Sequence, residues 1–348
     1  MILTCFCESI RQSFCGPDRK GLIIAEDFIR IYRDRIRNVE RIFKSNKYKT
    51  LLVVLCSLGW SLAYPLIKKG YQEFHIGADD LGGKILFGGV RFFLAGVFVT
   101  LFCVFRKIRL DLKDKKDLWW LLLLALVNTT FHYMFAYIGL GYNASARSTI
   151  LDSLSTFILI FISWKIFEDD KMNSNKIIGC LLGLLGILMI NVQPGKNFFE
   201  DITFRGDGMI LLNVLFSAWG GLLTRIVSKK MNIMMATGLS MTIGGALMLL
   251  AGLVIGPDQP WTVTGKGLLI LLALIMISAV CFAVYNELIA WHPISEIAIY
   301  NALIPVLGVI FSALILKEEL KWQYLLSVLL VAAGIYLVNS EKKDAKKA

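Results

Sequence analysis

The sequence is poor in charge and in the side chains that usually do catalysis. Only 18% of its residues are charged, 56% are hydrophobic, and the mean hydropathy is +0.65. Too little polar surface remains to cover a soluble core of this size, so a polytopic membrane protein is expected. There are three histidines and no H-E-x-x-H,. No G-x-x-x-x-G-K-[ST] occurs, so ATP-driven transport by this chain is not expected, and no G-x-S-x-G occurs either,. The seven cysteines give no disulfide framework. Cys56, Cys103, Cys180 and Cys281 lie in apolar runs and read as small core residues. Cys5, Cys7 and Cys15 lie in a basic N-terminal segment expected in the reducing cytoplasm. No metal site, cofactor or enzymatic activity is expected. The net charge of +11 does not point to nucleic acid, because the basic residues fall between apolar runs, where a membrane protein keeps its topology signals,.

What is present is apolar length. A helix needs about 20 apolar residues to cross the hydrocarbon. Ten segments qualify: 50–67, 85–105, 118–140, 148–166, 175–192, 207–228, 233–255, 266–290, 295–316 and 322–339. The expected fold is therefore all-α and integral to the membrane, with ten transmembrane helices. The links are short, the longest being 68–84 and 193–206, and leave no room for a soluble catalytic domain. Lys and Arg set the orientation. Residues 1–49, the segment 106–117 and the tail 340–348 are basic and fall on one side. A multi-pass protein of the cell membrane with both termini cytoplasmic is expected. Residues 1–49 do not read as a signal peptide, because the apolar core comes before the charge. Phe28, Tyr32, Ile36, Val39 and Phe43 recur at spacings of three and four with Arg between them. That is an amphipathic basic helix, either lying on the anionic inner leaflet or forming a solvated extension.

The chain also repeats itself. Shifted by 148 positions, Asn191 falls on Asn339, Gly186 on Gly334, Asp170 on Glu318, Tyr137 on Tyr285 and Gly96 on Gly244. Trp60 falls on Trp219 at a slightly larger offset. The copies are 50–192 and 207–339, with five spans each. An odd number makes the second copy inverted, an arrangement typical of secondary transporters with a binding site at the repeat interface.

Particular stretches carry a family resemblance. "YNALIPVLGVIFSALILKEEL" at 300–320, "WQYLLSVLLVAAGIYLVN" after it, "IFEDDKMNSNKIIGCLLGLLGILMIN" in the first copy and Arg91 in "GGVRFFLAG" resemble EamA-type members of the drug/metabolite transporter superfamily. Phe157 stands where the second copy has Pro305, and Asp170 replaces the more usual Glu. The resemblance implies a ten-helix carrier of small metabolites, often an exporter, with a cavity between two EamA-like halves.

Asp152 is the leading candidate residue. An acid about one turn inside a span is costly, by at least about 2.5 kcal/mol on insertion scales, so it must face a cavity, take up a proton or pair. It reads either as a substrate or proton-coupling carboxylate, or as an acid hydrated or paired with Arg147, Arg91 or a hydroxyl. Its repeat partner is Tyr300, and Ser153 pairs with Asn301. Asn128 and His132, four residues apart, share a helix face, with Tyr137 beyond them and Tyr285 as the latter's repeat partner. They read as substrate or proton-relay residues, or as interhelical hydrogen bonders. Trp60 and Trp219 read as a symmetric pair lining the cavity, or as packing residues. Arg91 binds an anionic group or snorkels to head groups. Asp170 and Glu318 are expected to cap the next helix or to pair locally. The function expected is secondary active export of small organic metabolites, amino acids or drug-like solutes, by alternating access. The alternative is a flippase for an amphipathic lipid carrier. The expected partners are a small-molecule solute, the lipid bilayer and, as a candidate coupling ion, protons, in a monomer or weak homodimer.

Overall fold

The computed structural model describes residues 42–112, 114–170, 172–189 and 202–340. Residues up to Lys49 form one compact unit and those from Thr50 a second, which holds everything below. Phe28, Tyr32, Ile36 and Val39 of the expected amphipathic helix lie outside the described residues. So do Cys5, Cys7, Cys15, Asn191 and the basic tail after Ser340.

The elements are all helical, and there is no strand among the described residues. In chain order they are α1 (Asn46–Glu73), α2 (Leu81–Phe105) and α3 (Asp117–Ala125), which passes through a π-helical turn (Leu126–Phe131) into α4 (His132–Tyr142). Then come α5 (Ser145–Asp152), α6 (Leu154–Ile166) and α7 (Ser174–Met189). A second π-helical turn (Phe204–Gly208) leads into α8 (Met209–Ser228), followed by α9 (Ile233–Ile255) and α10 (Gly265–Trp291). Last are α11 (Ile294–Ala298), a 3₁₀ turn (Ile299–Ala302), α12 (Leu303–Leu316) and α13 (Trp322–Ser340).

Eight of the helical stretches are long and apolar enough to span a membrane: α1, α2, α3 with α4, α5 with α6, α8, α9, α10, and α11 with α12. The chain is a multi-pass membrane protein. The apolar parts of α7 and α13, Ser174–Gly186 and Trp322–Gly334, are shorter than the spans expected there. The first span is longer than expected and takes up much of the 68–84 link. Tyr71 and Phe74 continue the buried stripe of Ala63 and Ile67 and pack on Phe87, so the helix runs on to Glu73.

Glycine sets the registers. In a membrane, helices gain little by hiding apolar surface from lipid, so close packing must hold them together. α2 carries Gly82, Gly89 and Gly96, and α9 carries Gly238, Gly245 and Gly252, each series seven residues apart. A β-carbon on Gly89 would strike the backbone of Leu249, and one on Gly96 that of Thr242. From the other side, Gly245 backs onto Phe93 and Gly252 onto Leu86. The pairing is antiparallel and backbone-close along its whole length. α7 and α13 pair the same way, with Gly186 against Ser327 and Gly334 against Gly179. Seven-residue spacing keeps small residues on one seam of a slowly crossing pair.

The fourth helical stretch breaks between α5 and α6 at Ser153, and the ninth between α11 and α12 at Ile299–Ala302. The two breaks fall at 148-related positions although only the second copy has a proline just after the break, Pro305. In the first copy serines do the work: the Ser153 hydroxyl donates to the Ile150 carbonyl (2.6 Å) and Ser155 to the Asp152 carbonyl (2.7 Å). Side-chain hydroxyls thus add hydrogen bonds to carbonyls at the interruption,.

The starts of these stretches are capped crosswise. Glu318, just after α12, accepts from the Ser145 amide (2.8 Å) and the Ala146 amide (3.1 Å) at the start of α5. Asp170, after α6, accepts from the Ser295 amide (3.0 Å) at the start of α11, and also binds Ser163 Oγ (2.8 Å), Lys176 Nζ (3.0 Å) and Ser295 Oγ. The acids therefore cap the helix of the other half, not the next helix in their own. The two caps lie at opposite ends of the bundle, since α5 and α6 separate Ser145 from Asp170.

The glycine seam predicts a clear contrast. Gly245→Val, which drives a side chain into the Phe93 backbone, should cost about 1–3 kcal/mol and lower the melting temperature in detergent by several degrees. Gly265→Ala, whose β-carbon meets open space, should leave it unchanged or raise it slightly,. Thermal unfolding of both purified variants checks this.

Candidate functional site

A cavity of about 110 Å³ lies within the bundle. Residues of α1, α2, the α3–α4 stretch and α5–α6 line one part of its wall, and α8, α10, the 3₁₀ turn and α12 line the rest.

Asp152 ends α5 and is the sole carboxylate in this lining. Its Oδ1 accepts a hydrogen bond from Asn213 Nδ2 of α8 at 2.6 Å. The Tyr64 hydroxyl of α1 is directed at the same carboxylate. Neither arginine pairs with it. Arg147 binds Asp207 at 2.7 Å, in a cluster with Asn143 and the Thr203 amide at the start of α8. Arg91 is 1% exposed, which rules out snorkelling. Its Nε donates to Ser278 Oγ (2.7 Å) and to the Leu274 carbonyl (3.1 Å), and its Nη1 to the Tyr137 hydroxyl (2.9 Å). Arg91 thus ties α2 to α10 and α4 as part of the cavity wall.

Eight of the ten residues singled out from sequence line this space: Asp152, Ser153, Asn301, Asn128, His132, Tyr137, Tyr285 and Trp60. His132 stacks on Tyr133 with ring centroids 4.1 Å apart, and its Nδ1 lies 3.3 Å from the Asn128 carbonyl across the π-helical turn. Asn301 Nδ2 donates to the Tyr285 hydroxyl at 2.7 Å, and the Trp60 ring sits 4.8 Å from the Tyr285 ring.

Two residues lie elsewhere. Trp219 is 51% exposed and does not line the cavity. Ser217, Gly221 and Thr224 do line it, at spacings of four and three. Trp219 stands two positions from Ser217, about 200° round the helix, and so points away. Tyr300 is also off the lining. Its carbonyl accepts from Ser57 Oγ (3.0 Å) and its hydroxyl lies 3.4 Å from Thr50 Oγ1, while the 3₁₀ turn presents Asn301 inward.

Two members of the site were not singled out from sequence. Tyr64 stands four residues after Trp60 and shares its face,. Asn213 is a lone amide in the apolar run "MILLNVLF", which is itself a signal inside a membrane,.

With the fold and cavity described, the relationships of the chain are clear. The model of the EamA-like transporter family matches residues 48–192 and again 204–340. The chain belongs to that family, and it is a transporter by that membership. It is 25% identical over 300 residues to the uncharacterized transporter YvbV of Bacillus subtilis, covering 86% of this chain and 93% of that one. An uncharacterized transporter of Synechocystis is 29% identical over 272 residues, 73% of this chain and 81% of its own. A WAT1-related chloroplastic protein of Arabidopsis thaliana is 29% identical over 269 residues, 74% of this chain and 63% of its own. A protein of known crystal structure superimposes with a TM-score of 0.65 over 85% of this chain and 99% of its own, at 14% identity, which speaks to the fold alone.

Arg91→Lys should be costly despite keeping the charge. An ammonium cannot reach all three acceptors in the guanidinium's geometry, and hydrogen bonds to charged groups are worth about 1.5–3 kcal/mol. The expected outcome is a fall of several degrees in the melting temperature of the detergent-solubilised protein, with no recovery on adding small anions.

Proposed function

We propose that this protein is a secondary active transporter that exports small organic metabolites, amino acids or drug-like solutes, across the cell membrane by alternating access. One observation carries the reading: both family-matched segments contribute to one cavity, and that cavity holds a single carboxylate, Asp152, against Asn213 and Tyr64. In the proposed cycle substrate and proton compete for this carboxylate. Proton entry from one side displaces the substrate, and the bound proton leaves from the other. Catalysis is not part of this reading. The cavity volume favours a small solute over a lipid.

The architecture behind the cycle is ten spans in two inverted repeats of five, with both termini cytoplasmic. The reciprocal contacts support it. Gly186 meets Ser327 while its 148-partner Gly334 meets Gly179, the 148-partner of Ser327. The crossed caps of Asp170 and Glu318 have the same reciprocity. In this reading the caps are the two gates. Opening one releases the start of α5 or of α11 and exposes the cavity to one side, while the other cap stays made.

Two experiments test this. Asp152→Asn reconstituted in liposomes should lose pH-driven substrate flux to the background of empty liposomes. Undiminished, pH-dependent flux by that variant would end the coupling role. Separately, a thiol cross-linker joining Ser145→Cys to Glu318→Cys should stop flux, and a cleavable linker should restore it on reduction. Full flux with that end held shut would overturn the gate assignment.

A further inference from the structure

The cavity wall carries two buried polar atoms with no hydrogen-bond partner among the described residues: Trp60 Nε1, a donor, and Asn301 Oδ1, an acceptor. Both belong to residues that line the cavity, and both flank Tyr285, Trp60 against its ring and Asn301 on its hydroxyl. A buried donor and a buried acceptor left open on two neighbours of one tyrosine match a group that both gives and takes a hydrogen bond,.

Trp60 and Tyr64, four residues apart on α1, share a face, and the Tyr64 hydroxyl is directed at Asp152,. A ligand whose nitrogen contacts Asp152 can therefore carry a polar end to Trp60 and Asn301 in the same lining. At about 110 Å³ the cavity suits a small molecule. The walls suit a cation, since Trp60, Tyr64 and Tyr285 offer aromatic surfaces around the single acid,. The positive group in the lining, Arg91, has its Nε and Nη1 committed to Ser278, Leu274 and Tyr137.

We infer that the cavity selects a compact primary ammonium compound that also carries a hydroxyl or amide. This rests on the reading of Asp152 as the substrate carboxylate. The ammonium sits at Asp152, and the hydroxyl or amide accepts from Trp60 Nε1 and donates to Asn301 Oδ1.

The test uses purified full-length protein and four probes: ethanolamine, 3-aminopropan-1-ol, propylamine and β-alanine. Their apparent affinities are read from ligand-induced thermal shifts and confirmed by counterflow in proteoliposomes. The expected result for the wild type is at least a tenfold preference for the amino alcohols over propylamine. Trp60→Phe or Asn301→Ala should each shrink that ratio towards one, and Asp152→Asn should abolish the response to every amine. Equal affinity of the wild type for 3-aminopropan-1-ol and propylamine overturns the inference while leaving Asp152 as the amine site. Tighter binding of β-alanine than of either alcohol overturns it too, and assigns recognition to Arg91. Amine binding that survives Asp152→Asn overturns the inference together with the reading beneath it.

Discussion

A helix that begins or breaks inside a membrane leaves amides and carbonyls that lipid cannot satisfy, and the rest of this structure depends on how they are met. Glu318 and Asp170 meet the amides at the starts of α5 and α11. The hydroxyls of Ser153 and Ser155 meet carbonyls at the break between α5 and α6. Because each acid serves the helix of the other half, the same bonds that complete the secondary structure also hold the two halves together. A capping bond is worth about 0.5–2 kcal/mol, enough to hold an end in place and small enough to release.

The glycine seams complement the caps. α2 with α9, and α7 with α13, approach backbone to backbone at their glycines. The broken stretches touch through smaller and more adaptable contacts, such as Ser312 Oγ on Ser145 Oγ at 2.9 Å and Gly308 against the Thr149 side chain. The bundle thus combines rigid pairs with interrupted ones. The cavity is bounded on one side by α5 and α6 and on the other by the 3₁₀ turn and α12, so it lies between the two interrupted stretches.

Much of this was legible in the sequence, and the misses have physical reasons. Apolar length marked eight of the expected spans, but α1 ran past its expected end because Tyr71 and Phe74 extend its buried stripe. Asp152 stood out because an acid in an apolar run needs a partner, while the partners themselves, Asn213 and Tyr64, come from helices whose rotation the sequence does not show. Of the residues singled out through the repeat, Asn301 lines the cavity, while Tyr300 and Trp219 do not. A one-residue difference in which side chain a 3₁₀ turn presents, or about 200° of helix rotation, separates a cavity residue from one facing elsewhere,. Aligned residues share a place along the chain, not a direction in space. Asp170 and Glu318 were recognisable as caps by type, but not by target, since the helix each one caps lies far away in sequence.

The asymmetry of the cavity gives the proposed cycle its sense. Two symmetric halves alone would make a passage with no preference for what fills it. Here the first copy supplies the carboxylate at the break and the second supplies an amide, Asn301, at the matching position. The acid has a neutral hydrogen-bonding partner in Asn213, whose amide can donate to an ionised carboxylate through its nitrogen or accept from a protonated one through its oxygen,. That oxygen is buried and has no partner among the described residues, and turning the amide over would present it to the protonated form,. An acid satisfied in both charge states can exchange a proton for a cation without stranding a charge in the membrane interior, and that is the requirement antiport places on a single carboxylate.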